Sequence, residues 1–150
     1  FLKELITTII DLANFKIFLR IKIIGKPWDF LKKILIPGGS IDNTLFEHKL
    51  EAELDDFADA FKHTPYGKLL EESIKSYKSA GSLTRFEKLT DNFIMSYIKK
   101  VKYASFGMEP LIAYLLAKET EIRNARIIMV GKINNIPKEV IRERLREVYV

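Results

Sequence analysis

The chain has 150 residues, of which 47% are apolar and 30% are charged, a composition typical of a folded protein with a sizeable core. It contains no cysteine, which excludes disulfide scaffolds, thiolate zinc sites and cysteine nucleophiles and fits a reducing compartment. The net charge of +5 is segregated along the chain: the first segment is basic, residues 42–59 are acidic, and the C-terminal part pairs arginine with glutamate. Such bipolarity suits an adaptor that contacts two unlike partners.

The N-terminal part is predicted to be helical. From Phe1 to Ile24 apolar residues recur three or four positions apart, and Gly25 and Pro27 are expected to end this helix. Its charged and polar residues exclude a membrane span. Because no capping residue precedes it, we expect the chain to start inside a helix of a longer protein. A short helix is predicted from Trp28 to Leu35, and the glycine-rich segment 37–40 is the clearest loop in the sequence.

The middle of the chain is predicted to form three further helices. The first, residues 43–61, carries an apolar stripe of aromatic residues and an acidic outer side. Thr64-Pro65 is typical of a helix start, and the second helix is expected to end near Gly81. Ser82 is expected to cap the third, which should extend to about residue 103.

The last part of the chain is also predicted to be helical. Residues 109–130 keep helical spacing, and Gly131 is expected to be the C-terminal cap of that helix. Pro137 is expected to start a final helix whose apolar side includes Ile141, Leu145 and Val148. We find no convincing alternating pattern of a strand anywhere, so the predicted fold class is all-α.

Two segments near opposite ends of the chain resemble each other. Asn14 to Leu19 resembles Asn124 to Met129, an offset of 110 residues, and Gly25-Lys26 resembles Gly131-Lys132. In both copies a short helix that starts at a proline follows. These features predict a repeated helical unit of domain size. We therefore expect residues 1–36 to close one unit and residues 37–150 to form a complete C-terminal one.

Motifs for chemistry are weak throughout the sequence. The loop at 37–40 lacks the Lys-Ser/Thr of a phosphate-binding loop, which favours a turn between units. Neither His48 nor His63 accompanies a nucleophile motif. One acidic helical stripe could offer oxygen and nitrogen ligands to a divalent ion, and it consists of His48, Glu51, Asp55 and Asp59. Such stripes are usually solvated or face a partner protein. The sequence predicts no catalytic residue, cofactor or metal, with a small metal-dependent enzyme as one alternative.

The segment from Glu109 to Arg126 places polar residues in a particular order inside an apolar helix. With other segments, it resembles the C subunit of the archaeal and bacterial V-type (A-type) rotary ATPases, a relative of the eukaryotic d subunit. The matching residues are Tyr114-Leu115, Lys118-Glu119, Glu121, Arg123-Asn124, Ile127 to Lys132, Pro137 to Leu145, Asp11 to Asn14 and Leu35 to Ile41.

The resemblance implies an antiparallel helical bundle that is the last domain of a three-domain funnel, together with the end of the preceding domain. It implies a non-catalytic central-stalk subunit that couples the rotor shaft to the membrane rotor ring for proton or sodium transport. The implied partners are the shaft subunits and the ring, with no nucleic acid. The implied location is cytoplasmic, peripheral on the inner face of the cell membrane. The N-terminal part of the family pattern is missing from this chain.

Polar residues at otherwise apolar helix positions are predicted to contact these partners. They are Lys118, Glu121, Arg123, Asn124, Arg126, Arg142 and Arg146. Lys118 interrupts the apolar stripe itself, and the alternative for it is an intramolecular salt bridge with Glu121 or Glu119. A basic, all-helical module that binds nucleic acid through its C-terminal arginines, or a generic adaptor, is the alternative function.

Overall fold

A computed structural model describes residues 1–104 and 106–149. These residues form eight helices and no strand, which confirms the predicted all-α class. Within the same ranges, no helix combines the length and the apolar character needed to cross a bilayer. The chain divides into two compact units, Phe1–Phe86 and Glu87–Val150. The loop at 37–40 lies inside the first unit. The division of the chain into two repeated units, 1–36 and 37–150, stays a prediction.

The first unit contains five complete helices: α1 (Leu2–Ile24), α2 (Trp28–Ile34), α3 (Asn43–Lys49), α4 (Leu54–Ala60) and α5 (Gly67–Ala80). Its core is aromatic. The ring of Phe15 on α1 lies edge-on to Phe46 and Phe57, each at a centroid distance of 6.0 Å, and Phe18 stacks on Phe57 at 4.1 Å. Such pairs contribute about 0.5–1.5 kcal/mol each beyond their burial, so α3 and α4 are held firmly on α1.

Three helices complete the chain: α6 (Thr84–Lys99), α7 (Glu109–Ile133) and α8 (Lys138–Arg144). The buried side of α7 consists of small residues, Ala113, Ala117 and Gly131. A Cβ on Gly131 would lie 2.6 Å from Ile141 Cδ1 of α8, so the missing side chain lets α8 pack close to α7. After α8 the backbone becomes extended at Leu145.

Several predicted helix boundaries are wrong. The single helix expected at 43–61 is interrupted between α3 and α4, which lets rings from both short helices reach Phe15. Thr64-Pro65 belongs to a turn, in which Thr64 Oγ1 accepts the Tyr66 N–H at 3.2 Å, and α5 starts at Gly67. α6 stops at Lys99 instead of continuing to about 103.

The two remaining corrections concern the C-terminal part. Gly131 lies inside α7 and Asn134 is the C-terminal cap, because Gly131 is required by the contact with α8 and not by a turn. The final helix ends at Arg144, so Leu145 and Val148 do not extend its apolar side. The predicted ends at Gly25 and Gly81 are confirmed, since both glycines adopt left-handed φ angles of 73° and 63°.

Candidate functional site

Asn14 and Asn124 make the same pair of hydrogen bonds. Asn14 Nδ2 donates to the Ile36 carbonyl at 2.9 Å, and the Ile36 N–H donates to Asn14 Oδ1 at 2.8 Å. Asn124 binds the backbone of Arg146 in the same way, at 3.0 and 2.9 Å. In each case the partner lies 22 residues after the asparagine. These two asparagine clasps agree with the predicted repeat and its offset of 110 residues.

The helices around the clasps keep the same offset. α2 and α8 each have seven residues and each follows a proline as N-cap, Pro27 or Pro137. Leu31 of α2 and Ile141 of α8 are the corresponding buried residues. The likeness therefore extends over a long helix, its turn and the short helix that follows.

The turn between the helices shows where the predicted alignment was wrong. Gly25 and Asn135 occupy corresponding positions, and both have positive φ angles of 73° and 53°. The following residue donates its N–H five positions back in both copies, from Lys26 to Ile21 at 3.2 Å and from Ile136 to Gly131 at 2.9 Å. Gly131-Lys132 therefore does not correspond to Gly25-Lys26, since Gly131 is the counterpart of Ile21.

A buried acidic residue attaches the glycine-rich loop to α1. Asp11 is fully buried, and its carboxylate accepts the Ser40 N–H at 2.8 Å, the Ser40 hydroxyl at 2.6 Å and the Tyr66 hydroxyl at 2.9 Å. A Cβ on Gly39 would lie 2.4 Å from Asp11 Oδ1, so only glycine permits this approach. The loop is therefore a fixed turn within the first unit.

The Tyr66 hydroxyl makes the stability of the chain sensitive to alkaline pH. Burial, then the hydrogen bond to Asp11, then the charge of Asp11 raise the pKa of Tyr66 to about 12. Below pH 10 the phenol is neutral in both the folded and the unfolded state. Above pH 10 the unfolded state loses its proton first, so the contribution of Tyr66 to the free energy of unfolding should fall by about 2 kcal/mol as the pH rises from 10 to 12.

Urea unfolding of the wild type and of Tyr66→Phe across pH 8–12 measures this effect. The phenylalanine variant cannot ionise at this position, so the stability advantage of the wild type should shrink above pH 10. An advantage that stays constant from pH 8 to 12 would contradict the raised pKa.

A second polar cluster attaches the C-terminal segment to the second unit. Asp91 of α6 accepts Arg146 Nε at 2.8 Å and Arg123 Nη1 at 2.5 Å. Arg123 also bonds Glu119 at 3.0 Å, and the Arg146 side chain is only 10% exposed. The hydrogen bond to Asp91 is the main cause that raises the pKa of Arg123 above its usual value. The Asp91 cluster therefore holds three segments of the second unit together.

Further hydrogen bonds support the same segment. The Glu147 N–H donates to Asn92 Oδ1 at 2.9 Å, and Lys88 Nζ donates to the Glu143 carbonyl at 2.7 Å. The roles of Asp91, Asn92 and Lys88 were not predicted from the sequence, because these residues lie 55 positions before their partners. A polar Asp91-Asn92 pair within an otherwise amphipathic helix was the available signal.

Replacing Asp91 with asparagine should loosen the C-terminal segment. The amide cannot balance two guanidinium groups, and we expect a loss of about 1–2 kcal/mol. Hydrogen exchange of residues 145–149 should then become about tenfold faster. Asp59→Asn, on the exposed side of α4, is the control and should leave that exchange rate unchanged. Equal rates in Asp91→Asn and wild type would disprove the role of the Asp91 cluster.

The predicted interface residues fall into two groups. Arg123, Asn124 and Arg146 have the internal partners described above. The others have exposed side chains: Lys118, Glu121, Arg126 and Arg142. Lys118 Nζ bonds Glu121 Oε2 at 2.7 Å, which is the intramolecular salt bridge considered for it, and this bond raises the pKa of Lys118. The exposed group is the one more readily available to a partner, because Arg123, Asn124 and Arg146 are partly buried.

The acidic stripe proposed as a metal site is divided in the structure. His48 lies on α3, whereas Asp55 and Asp59 lie on α4, beyond the interruption. Among residues 1–104 and 106–149, no three acidic or histidine side chains come together as a ligand set. Asp55 instead pairs with Lys78 of α5.

The fold and these clusters define an all-helical protein in which buried and partly buried polar residues fix the connections between helices. Residues 1–144 match the family model of the ATP synthase (C/AC39) subunit, and the chain belongs to this family.

The chain is similar to the C subunits of two related kinds of ATPase. It is 30% identical over 148 residues to the C subunit of the V-type sodium ATPase of Enterococcus hirae, covering 99% of this chain and 44% of the relative. It is 30% identical over 146 residues to the C subunit of the A-type ATP synthase of Methanocaldococcus jannaschii, covering 95% and 37%. The chain thus spans about two fifths of these relatives. No solved structure gives a significant match.

Proposed function

We propose that this chain is part of a non-catalytic central-stalk subunit of a rotary ATPase or ATP synthase. In this role it couples the rotor shaft to the membrane rotor ring, from a peripheral position on the inner face of the membrane. The observation that carries the proposal is the family match over residues 1–144. The names of the relatives, C subunits of a sodium ATPase and of an ATP synthase, point to the same assembly.

The internal contacts suit a part that transmits torque. A coupling element works by stiffness and fit, so its segments must not shift when force is applied. The asparagine clasps and the Asp91 cluster fix the connections between helices with partly buried hydrogen bonds of 2.5–3.0 Å. Buried and fully satisfied polar networks rigidify a structure in this way.

The exposed group of predicted interface residues gives the proposal a specific surface. Arg126 on α7 and Arg142 on α8 carry charge that is available to an acidic partner surface. We expect Arg126→Glu and Arg142→Glu together to weaken assembly of the subunit with shaft and ring, most strongly at low salt. The matched control is Lys138→Glu, an exposed reversal at the start of α8.

Affinity purification of the subunit from its own cells tests this function. The wild type should bring down the shaft subunits and the membrane ring, and the Arg126→Glu/Arg142→Glu variant should bring down less of one of them. Failure of the wild-type subunit to retain either partner would overturn the proposed function. Loss with Lys138→Glu as large as with the double variant would overturn the assigned surface.

One of the three arginines expected to bind nucleic acid in the alternative function is engaged internally. Arg146 is 10% exposed and engaged with Asp91, so Arg142 and Arg144 are left as the exposed pair. Salt-dependent retention on nucleic acid that persists after either single replacement, but is lost when Arg142 and Arg144 are replaced together, would favour this alternative.

A further inference from the structure

The outer side of α7 carries a regular apolar seam. The seam consists of Leu111, Leu115, Lys118, Ile122, Ala125 and Met129. These residues are spaced alternately four and three positions apart, as contact positions are in a pair of packed helices. The four large apolar members are 59–63% exposed. The small residues Ala113 and Ala117 lie on the opposite, buried side. α7 thus presents its larger apolar residues to the outside, the reverse of an ordinary amphipathic helix.

The repeat shows what covers such a seam. The residues 110 positions earlier form the corresponding seam of α1: Phe1, Leu5, Thr8, Leu12, Phe15 and Leu19. Leu5, Leu12, Phe15 and Leu19 are at most 3% exposed. The cover comes from the segment Asp42–Tyr66, because Phe15 contacts Phe61 at 4.8 Å and Tyr66 at 5.3 Å in addition to Phe46 and Phe57.

The polar positions of the two seams also correspond. In α1, Asp11 accepts a hydrogen bond from the hydroxyl of Tyr66 in the covering segment, and Thr8 lies three residues before Asp11. Their counterparts in α7 are Glu121 and Lys118, which bond each other at the surface. A segment that covered α7 and carried a hydroxyl at the position of Tyr66 would therefore lie next to the polar pair of Lys118 and Glu121.

The charges near the α7 seam favour a covering segment that is acidic, as the segment Asp42–Tyr66 is. The segment Asp42–Tyr66 contains seven acidic and two basic residues. Exposed basic residues stand beside the α7 seam at Arg126 and Lys132, whereas Lys118 on the seam is paired with Glu121. An acidic segment is therefore attracted to this seam.

We infer that the α7 seam is the docking site of a second covering segment of the Asp42–Tyr66 kind, two short amphipathic helices with an aromatic inner side and an acidic outer side. The relatives are long enough to contain such a segment outside the matched region, since this chain spans only 37–44% of their length. This inference rests on the repeat and is independent of the proposed rotary function.

A peptide of this chain, residues 42–66 with a fluorescent label, is the probe. Fluorescence anisotropy measures its binding to the 150-residue chain. The variant Ile122→Ser/Met129→Ser should weaken binding at least tenfold, because both substitutions remove exposed apolar side chains of the seam. Ile24→Ser is the matched control, since Ile24 on α1 is 64% exposed and Ile122 is 62% exposed. Circular dichroism should show the same helical content in all three proteins.

A second peptide separates docking from mere charge attraction. Phe57→Ser/Phe61→Ser in the peptide keeps its charge and removes the aromatic inner side, so its binding should be lost. Equal binding of both peptides, equal binding to the seam variant, or no binding at all would overturn the inference. Sedimentation equilibrium of the chain alone tests whether a second copy of the chain covers the seam. A dimer that Ile122→Ser dissociates would show that it does, and would also overturn the inference.

Discussion

Asp11→Ala is expected to lower the free energy of unfolding by about 3–5 kcal/mol, the largest effect of any single substitution considered. The carboxylate is fully buried and accepts three hydrogen bonds, two from Ser40 and one from Tyr66. Its removal leaves these donors without an acceptor, at about 1–3 kcal/mol for each buried unsatisfied group, and also leaves a small cavity. Urea unfolding followed by the fluorescence of Trp28, the only tryptophan, measures the loss.

The repeat supplies a matched control for this experiment. Glu121 occupies the position of Asp11 in the second copy, but its side chain is 45% exposed and pairs with Lys118 at the surface. Glu121→Ala should therefore change stability by less than about 0.5 kcal/mol. If both alanine variants were equally stable, the buried hydrogen bonds of Asp11 would contribute nothing.

Asn14→Ala is expected to cost about 2–4 kcal/mol. Asn14 is 2% exposed, and its amide satisfies both backbone groups of Ile36, which alanine cannot do. Asn14→Asp should not restore stability, because a carboxylate accepts the Ile36 N–H but cannot donate to the Ile36 carbonyl. Trp28 on α2 lies between the two partners in sequence, so its fluorescence should report the displacement of α2.

The second asparagine clasp provides the comparison for the first. Asn124 makes the same two bonds but is partly exposed, so water can replace them in Asn124→Ala, and a loss of about 1–2 kcal/mol is expected. Thermal unfolding followed by circular dichroism measures both variants. A larger loss for Asn124→Ala than for Asn14→Ala would contradict the assignment of the effect to burial.

Local chemistry explains which features could be predicted. The ends of α1 and α5 were recognised because glycine adopts the left-handed conformation that a helix end requires, as Gly25 and Gly81 do. The repeat was recognised because a clasp needs an asparagine at one position, so Asn14 and Asn124 match where their neighbours differ. The Lys118–Glu121 bridge follows from the spacing of three residues on one helix.

Contacts between distant residues explain the rest. Gly131 was taken for a helix end because its partner Ile141 belongs to another helix. The interruption between α3 and α4 depends on where Phe15 lies, and the role of Asp91 depends on an arginine 55 residues away. The internal partners of Arg123 and Arg146 could not be predicted either, because Asp91 lies far from both in sequence, and their role at an interface stays a prediction.

The sequence by itself determined the all-helical class, the repeat and the family resemblance, because these depend on periodicity, on turn residues and on the order of side chains along one helix. Only the tertiary structure decided which polar residues are buried and which apolar ones are exposed. The seams of α1 and α7 have nearly the same pattern, yet Leu12 is 3% exposed and its counterpart Ile122 is 62% exposed. The pattern of a helix predicts that it will pack, whereas burial depends on whether a covering segment is present.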